Sequence, residues 1–181
     1  MGLGPGAVCS ISLNTALTAE QRARYQDPDV IRELLARSRT IAMVGLSADR
    51  QKASYFVASY LRYEGYRVLP VNPRGGEILG ERVFPDLRSI PDPVDLVDVF
   101  RPASECAAIV EQAIGIRAKA VWTQLRITDF EAAEKALAAG LKVVMDKCVK
   151  MEHGRYGGSL HWAGMNTEII SARKPRRIPA L

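Results

Sequence analysis

The apolar run Thr40-Ile-Ala-Met-Val44, followed by the turn Gly45-Leu-Ser47, is the stretch of sequence that decides the fold. A helical pattern from Ala53 to Glu64 comes directly afterwards. An apolar strand, a glycine turn and a helix in this order predict the first strand-to-helix unit of a parallel α/β sheet. Such a turn brings backbone N–H groups and the positive end of a helix to one edge of the sheet, where phosphate can bind.

This turn departs from the standard dinucleotide fingerprint, which requires three glycines. Only Gly45 is present, and the positions after it hold hydroxyls and cations, namely Ser47, Arg50, Lys52 and Ser54. These side chains are able to hold phosphate where the standard fingerprint uses bare backbone. An ordinary strand-to-helix turn with solvated charges fits the same residues, so both interpretations stay open here.

The predicted second strand, Arg67-Val-Leu-Pro-Val71, ends in Asn72-Pro-Arg-Gly-Gly76. A chain that binds NAD normally carries Asp or Glu near this point to hydrogen-bond the ribose hydroxyls. Arg74 in that region favours a ligand with a further phosphate on its ribose, as in NADP and coenzyme A. The alternative is a Pro/Gly turn whose arginine faces water.

Apolar runs and helical patterns alternate along the rest of the chain. Further strands are predicted at 94–100, 119–124 and 141–145 with a short edge strand at 82–84, and helices at 28–37, 103–116 and from a capping box at Thr128–Glu131 to Gly140. This alternation predicts an α/β fold, a Rossmann-like doubly wound five-stranded parallel sheet in the order 3-2-1-4-5. The ligand site is expected above strands one and four, where the strand order switches. Residues on that rim would be Ser47, Asn72, Arg74, Arg101 and Gln124.

Asp98 lies within an otherwise apolar strand. A buried carboxylate must find hydrogen-bond donors, so we expect a structural rather than a catalytic role for it. Met43, Cys106, Trp122 and Met145 are expected in the core.

Length and composition narrow the class of protein. A chain of 181 residues suits one domain. Its net charge of +5 is concentrated in residues 171–181, which carry four cations and no acid. The excess is therefore a basic tail, and a nucleic-acid partner is not favoured. No run is long enough to span a membrane.

The three cysteines are an odd number without close pairs, which favours neither a disulfide framework nor a zinc site. The N-terminus lacks the features of a signal peptide. We therefore expect a cytoplasmic protein without a metal. We expect residues 1–27 to form an N-terminal extension, 28–155 the folded domain and 156–181 a C-terminal extension with the basic tail.

Several motifs in this order resemble the small CoA-binding family, whose fold is similar to the N-terminal domain of the succinyl-CoA synthetase alpha subunit. They span roughly residues 28–155. They are Val44-Gly-Leu-Ser47, Gly65-Tyr-Arg-Val-Leu-Pro-Val-Asn-Pro73, Pro93-Val-Asp-Leu-Val-Asp-Val-Phe-Arg101, Val121-Trp-Thr-Gln124, Val143-Val-Met-Asp-Lys-Cys148 and Glu152-His153.

The resemblance implies a coenzyme A site in which Gly45 and Ser47 meet the pyrophosphate. It places Lys52 and Arg74 among the phosphates, and it lines the nucleotide pocket with Asn72, Pro73, Arg101 and Gln124. Two positions depart from the family. Arg50 stands where Pro is usual, and Arg126 stands where Gly is usual, so Arg126 either narrows the pocket or adds a phosphate contact.

We expect a protein that binds CoA or acyl-CoA without catalysing a reaction, because the ligase relatives use a phosphohistidine from a second domain that does not fit in this chain. His153 is expected to pack or cap, and no histidine is spaced to activate Cys148. An NADP-dependent oxidoreductase or epimerase is the alternative, although no Tyr-x-x-x-Lys pair is present. A redox-sensing DNA-binding regulator is disfavoured because too few residues precede the first strand. A protein partner or a homo-oligomer is compatible with the sequence.

Overall fold

The computed structural model describes residues 17–157. The predictions for the first sixteen residues and for the basic tail at 171–181 lie outside the described residues. Within 17–157, helices and strands alternate through most of the chain. No helix in this part of the chain is both long and apolar enough to cross a bilayer.

Residues 17–157 contain seven strands, which form two sheets. They are β1 (Thr40–Val44), β2 (Arg67–Val71), β3 (Glu77–Ile78), β4 (Glu81–Arg82), β5 (Leu96–Val99), β6 (Ala120–Thr123) and β7 (Lys142–Val144). The main sheet has five strands in the order β2-β1-β5-β6-β7, and all of its pairings are parallel. Strands β3 and β4 form a separate antiparallel hairpin. The predicted Rossmann-like, doubly wound, five-stranded sheet is therefore confirmed.

The predicted strand order 3-2-1-4-5 is wrong in one respect. Numbered along the chain, the five strands lie in the order 2-1-3-4-5. The prediction put the third strand, residues 94–100, beside β2, but this segment contains β5, which pairs with β1. The place beside β2 holds only an isolated parallel bridge between Val71 and Phe84. Pro85 follows at once, and because proline has no N–H it cannot extend that ladder. The switch in strand order falls between β1 and β5, the third strand along the chain, and not between the first and fourth strands as predicted.

The helices of this part of the chain are α1 (Ala19–Tyr25), α2 (Pro28–Arg37), α3 (Ala53–Tyr63), α4 (Cys106–Gly115), α5 (Phe130–Ala138) and α6 (Val149–Tyr156). Side chains cap the first turns of α1, α2 and α5, whereas α3, α4 and α6 begin without a side-chain cap. The Asp27 carboxylate caps α2, and Pro28 occupies the first turn. Helix α5 differs from the prediction, because its N-cap is Asp129, which accepts from the Ala132 N–H, rather than Thr128.

Both faces of the sheet are covered by helices. The cluster on one face includes Val97, Cys106 and Met145, and the cluster on the other includes Met43 and Trp122. All five are buried, which confirms the core predictions for Met43, Cys106, Trp122 and Met145.

An ionic cluster fixes α6 to the end of β7. The Glu152 carboxylate is buried and lies 3.3 Å from Lys147 Nζ and 3.1 Å from an Arg155 guanidinium nitrogen. The Trp122 indole N–H donates to the Lys147 carbonyl at 2.7 Å. These bonds place Cys148 and the start of α6 over the carboxyl end of β6.

Candidate functional site

The turn after β1 depends on glycine at position 45. Gly45 has a φ of +88°, a left-handed conformation that other residues rarely adopt. Its N–H donates to the Val71 carbonyl at 2.8 Å. A Cβ built on Gly45 would lie only 2.8 Å from Arg101 Cδ. Any side chain at this position would therefore meet both backbone strain and a steric clash.

Side chains hold the rest of this turn in place. The Ser47 N–H donates to Ser54 Oγ at 3.2 Å, and the Asp49 N–H donates to Ser47 Oγ at 3.1 Å. The two predicted phosphate-binding hydroxyls, Ser47 and Ser54, are thus brought together at the start of α3. Ser54 is buried, so its hydroxyl supports the turn from inside while Ser47 stays partly exposed.

Asn72 connects this turn to the end of β2. Its Nδ2 donates to the Leu46 carbonyl at 2.9 Å, and its Oδ1 accepts from the Arg74 N–H at 3.0 Å. Asn72 therefore sets the distance between the two loops, and its amide is used on both sides.

A cleft of about 180 Å³ opens between these two loops. Its lining consists of Ser47, Ala48, Asp49, Asn72, Arg74, Gly75 and Ile78. Three predicted site residues, Ser47, Asn72 and Arg74, therefore share one cleft. Asp49 was missed by sequence reasoning, which considered only the hydroxyls and cations of this turn. Its carboxylate accepts from the Gln51 N–H at 2.9 Å.

Lys52 and Pro73 lie close to this cleft in the chain but are not among the residues that line it. Lys52 occupies the N-cap position of α3 and makes no side-chain capping bond. Its side chain is exposed, as is Pro73, which lies between two cleft residues.

Arg101 follows β5 and reaches the turn from the other side. Its stem crosses Gly45, while its guanidinium binds the Glu105 carboxylate through Nε at 2.8 Å and a terminal nitrogen at 2.6 Å. Hydrogen bonds from Arg101 lower the pKa of Glu105, so this carboxylate is ionised at neutral pH. Arg101 is therefore beside the predicted site, but its charge is paired.

Gln124 points into the core rather than into the cleft. Its Nε2 donates to Asp98 Oδ1 at 2.7 Å, and both side chains are buried. Asp98 Oδ2 has no hydrogen-bond partner among the described residues. Burial raises the pKa of Asp98 to about 7, although the bonds from Gln124 and the Val99 backbone act in the opposite direction. The predicted hydrogen bonding of Asp98 is thus confirmed for one of its two oxygens.

Arg126 has a positive φ of +63°. Its N–H donates to Asp146 Oδ1 at 2.6 Å. Glycine adopts this left-handed backbone conformation more readily than other residues. The conformation alone therefore explains why the family usually has glycine at this position, without any contact to a ligand. The Arg126 side chain is exposed and is not among the residues that line the cleft.

Within residues 17–157, neither the cysteines nor His153 form an activated pair. Burial raises the pKa of Cys106 to about 11. Burial also raises the pKa of Cys148, with the Asp98 charge adding to the shift and the backbone N–H groups of Lys150 and Met151 opposing it.

His153 lies between α3 and α6, where its Nδ1 and the Tyr60 hydroxyl are 2.9 Å apart. Burial lowers the pKa of His153. The part of the chain described here also contains no group of His, Cys, Asp and Glu that is able to hold a metal ion.

A doubly wound parallel sheet with a left-handed glycine turn beside its switch point defines a Rossmann-like α/β domain. The chain belongs to the CoA binding domain family, which residues 39–154 match. It is 35% identical over 123 residues to YneT of Bacillus subtilis, an alignment that covers 68% of this chain and 91% of YneT.

A solved structure from Thermus thermophilus is also similar to this chain. The two are 41% identical with a TM-score of 0.68, over 72% of this chain and 98% of the Thermus chain. A shorter match, 38% identical over 65 residues, is to the alpha subunit of an ADP-forming acetate–CoA ligase of Pyrococcus furiosus. That match covers 35% of this chain and 14% of the ligase subunit.

Replacing Gly45 by Ala should destabilise the protein more than the same change at Gly65. Both glycines have a positive φ, so each variant should lose about 1–2 kcal/mol from backbone strain. Only at Gly45 would the new Cβ clash, since nothing lies within 4 Å of it at Gly65. We expect Gly45→Ala to lose a further 1–3 kcal/mol or so in urea unfolding. Equal losses in the two variants would contradict the close approach of Arg101.

The Asp98→Asn variant should remove a pH dependence from stability. The pKa of Asp98 is about 7 in the folded state and 3.8 in the unfolded state. Between these two pH values the folded state therefore binds more protons than the unfolded state. The contribution of Asp98 is therefore fully present below pH 4 or so and is lost as the pH rises through about 7. Across this window the free energy of unfolding of the parent should fall relative to that of Asp98→Asn, by up to about 4 kcal/mol. Unfolding curves of the two proteins at several pH values provide the test, and a difference that does not change with pH would contradict it.

Proposed function

We propose that this chain binds coenzyme A or an acyl-CoA and does not catalyse a reaction with it. The observation that carries the proposal is the cleft between the Gly45 turn and Arg74, in a chain of the CoA binding domain family. This cleft lies at the carboxyl edge of β1 and β2, where doubly wound sheets bind their ligands. In the proposal the nucleotide occupies this edge.

The pyrophosphate in this proposal binds at the Gly45–Ser47 turn and the start of α3. Lys52, the N-cap residue of α3, has no side-chain oxygen that could accept hydrogen bonds from the backbone N–H groups of the first turn. A phosphate oxygen would accept from those N–H groups and would interact favourably with the helix dipole. The exposed Lys52 ammonium and the partly exposed Ser47 hydroxyl provide further donors.

The ribose phosphate in this proposal binds to Arg74. This side chain is exposed at the cleft, and its backbone is fixed by the bond to Asn72 Oδ1. A guanidinium binds phosphate through parallel hydrogen bonds, which distinguishes CoA from ligands with a free ribose diol. Asn72 and Pro73 shape this wall. Arg101 reaches the same edge from β5 and borders the nucleotide pocket in this proposal, whereas the Gln124 amide stays bonded to Asp98 in the core.

The absence of catalysis in this proposal rests on the nucleophiles of the described residues. The pKa values of both cysteines are raised, and His153 is bonded to Tyr60 between two helices. The property that this chain shares with the acetate–CoA ligase subunit is then CoA binding alone. We further propose a cytoplasmic location, since reduced thiols suit that compartment. The domain of residues 28–155 would carry the binding site.

A thermal-shift panel of CoA, acetyl-CoA, NADP and NAD tests this function. CoA at a hundred times its dissociation constant should add about 2.7 kcal/mol to the free energy of unfolding. For a domain of this size the melting temperature should rise by roughly 5–10 °C. NAD should give no comparable shift, because it lacks a phosphate on the 2′ or 3′ hydroxyl of its adenosine ribose. A shift with NADP alone would favour the oxidoreductase or epimerase alternative, and no shift with any ligand would reject nucleotide binding.

Arg74→Ala should weaken CoA binding by about ten- to a hundredfold, because a charge-assisted contact is worth roughly 1.5–3 kcal/mol. Titration calorimetry with CoA and with dephospho-CoA, which lacks the ribose 3′-phosphate, identifies the phosphate involved. If Arg74 meets that phosphate, the parent should prefer CoA while the variant hardly distinguishes the two ligands.

Arg39→Ala is a matched control, because it removes another exposed arginine, at the opposite, amino-terminal edge of the sheet. Its affinity for CoA should equal that of the parent. If Arg74→Ala also retains parental affinity for both ligands at low salt, Arg74 is not a ligand contact.

A further inference from the structure

We infer that Glu105 lowers the CoA affinity of the proposed site by competing with the ligand for Arg101. The inference rests on the proposed function, and it concerns a carboxylate outside the cleft. Glu105 and Arg101 form a complete two-bond pair. CoA binding would exchange one partner of Arg101, a carboxylate, for another, a phosphate.

The aliphatic stem of Arg101 lies directly beside the Gly45 turn. Arg101 Cγ and Cδ lie 3.2 and 2.8 Å from the point where a Gly45 Cβ would be. The aliphatic part of the side chain therefore crosses the space that a side chain at position 45 would fill, and the Arg101 side chain is exposed at the carboxyl edge of the sheet. A small rotation of the end groups changes its partner without moving the stem away from Gly45.

Glu105 is placed to act as the competitor. It closes the short helical turn Ala103–Glu105 just before α4 and makes no capping bond with its side chain. Its two carboxylate oxygens are therefore directed to Arg101, one to Nε and one to a terminal nitrogen. A guanidinium binds phosphate in the same geometry, so two phosphate oxygens can take the place of the two carboxylate oxygens.

Because the Arg101–Glu105 ion pair is exposed to water, the exchange of its carboxylate for a phosphate costs little free energy. The Arg101 and Glu105 side chains are 44% and 43% exposed, and ion pairs this open to water are weak. The pair has no net charge, so Arg101 attracts a polyanionic ligand only after Glu105 is released. The carboxylate thus lowers the affinity of the site while it keeps the guanidinium in position. The other acid at the site, Asp49, bonds to the backbone of its own loop instead.

A double-mutant cycle tests the competition. CoA affinity is measured by titration calorimetry for the parent, Glu105→Gln, Arg101→Ala and the double variant, with a melting curve for each protein to establish folding. Removal of the competitor should tighten CoA binding by about two- to fivefold, which corresponds to the strength of an exposed ion pair. In the Arg101→Ala background the same change at Glu105 should have no effect.

Glu111→Gln is the matched control, because Glu111 lies on α4 and forms a similarly exposed pair with Lys135 at 2.6 Å. It removes the same charge from the same helix region, so its CoA affinity should equal that of the parent. Equal tightening by Glu105→Gln with and without Arg101 would assign the effect to long-range charge and overturn the competition. Unchanged or weaker binding by Glu105→Gln alone would also overturn it. If the parent itself fails to bind CoA, the proposed function fails, which is a distinct result.

Discussion

The hydrogen bond from the Gly45 N–H to the Val71 carbonyl is the constraint on which the candidate site depends. It continues the pairing of β1 and β2 one residue beyond the end of β1. The chain must then leave the sheet at once, and the left-handed conformation of Gly45 allows it to do so. The turn that results holds Ser47 against Ser54 and Leu46 against Asn72. Both walls of the cleft thus follow from one backbone bond.

Much of the fold could be predicted from the sequence, because it is set by local patterns. The apolar runs gave the strands of the main sheet, and Asp27 before Pro28 marked the start of α2 as observed. Strand order is different, because it depends on which edges pair in three dimensions. An edge strand beside β2 was a reasonable expectation, but only Phe84 pairs there before Pro85 ends the ladder. At α5 two neighbouring residues were able to cap, and the actual choice follows from backbone angles that the sequence does not display.

The candidate site was predictable in its backbone and less so in its side chains. Position along a strand indicated that Ser47, Asn72 and Arg74 share one edge of the sheet, and they line one cleft. It did not indicate which way Gln124 points. The buried Asp98 carboxylate requires a hydrogen-bond donor, and the Gln124 amide points toward it to supply one. Pair formation by side chains is decided by distances between elements, and a single sequence does not contain those distances.

The cleft comes from one continuous part of the chain, whereas the side chain that crosses its glycine turn comes from a later strand. The cleft lining falls between Ser47 and Ile78, and Arg101 follows β5. Contacts between residues that are close in sequence cost less loop-closure entropy, so β1, α3 and β2 are the easier part of the sheet to assemble. They also leave the ribosome first. Loop-closure entropy therefore favours an order of folding in which the Gly45 turn forms before β5 pairs with β1, so that Arg101 would be added to a turn that already exists.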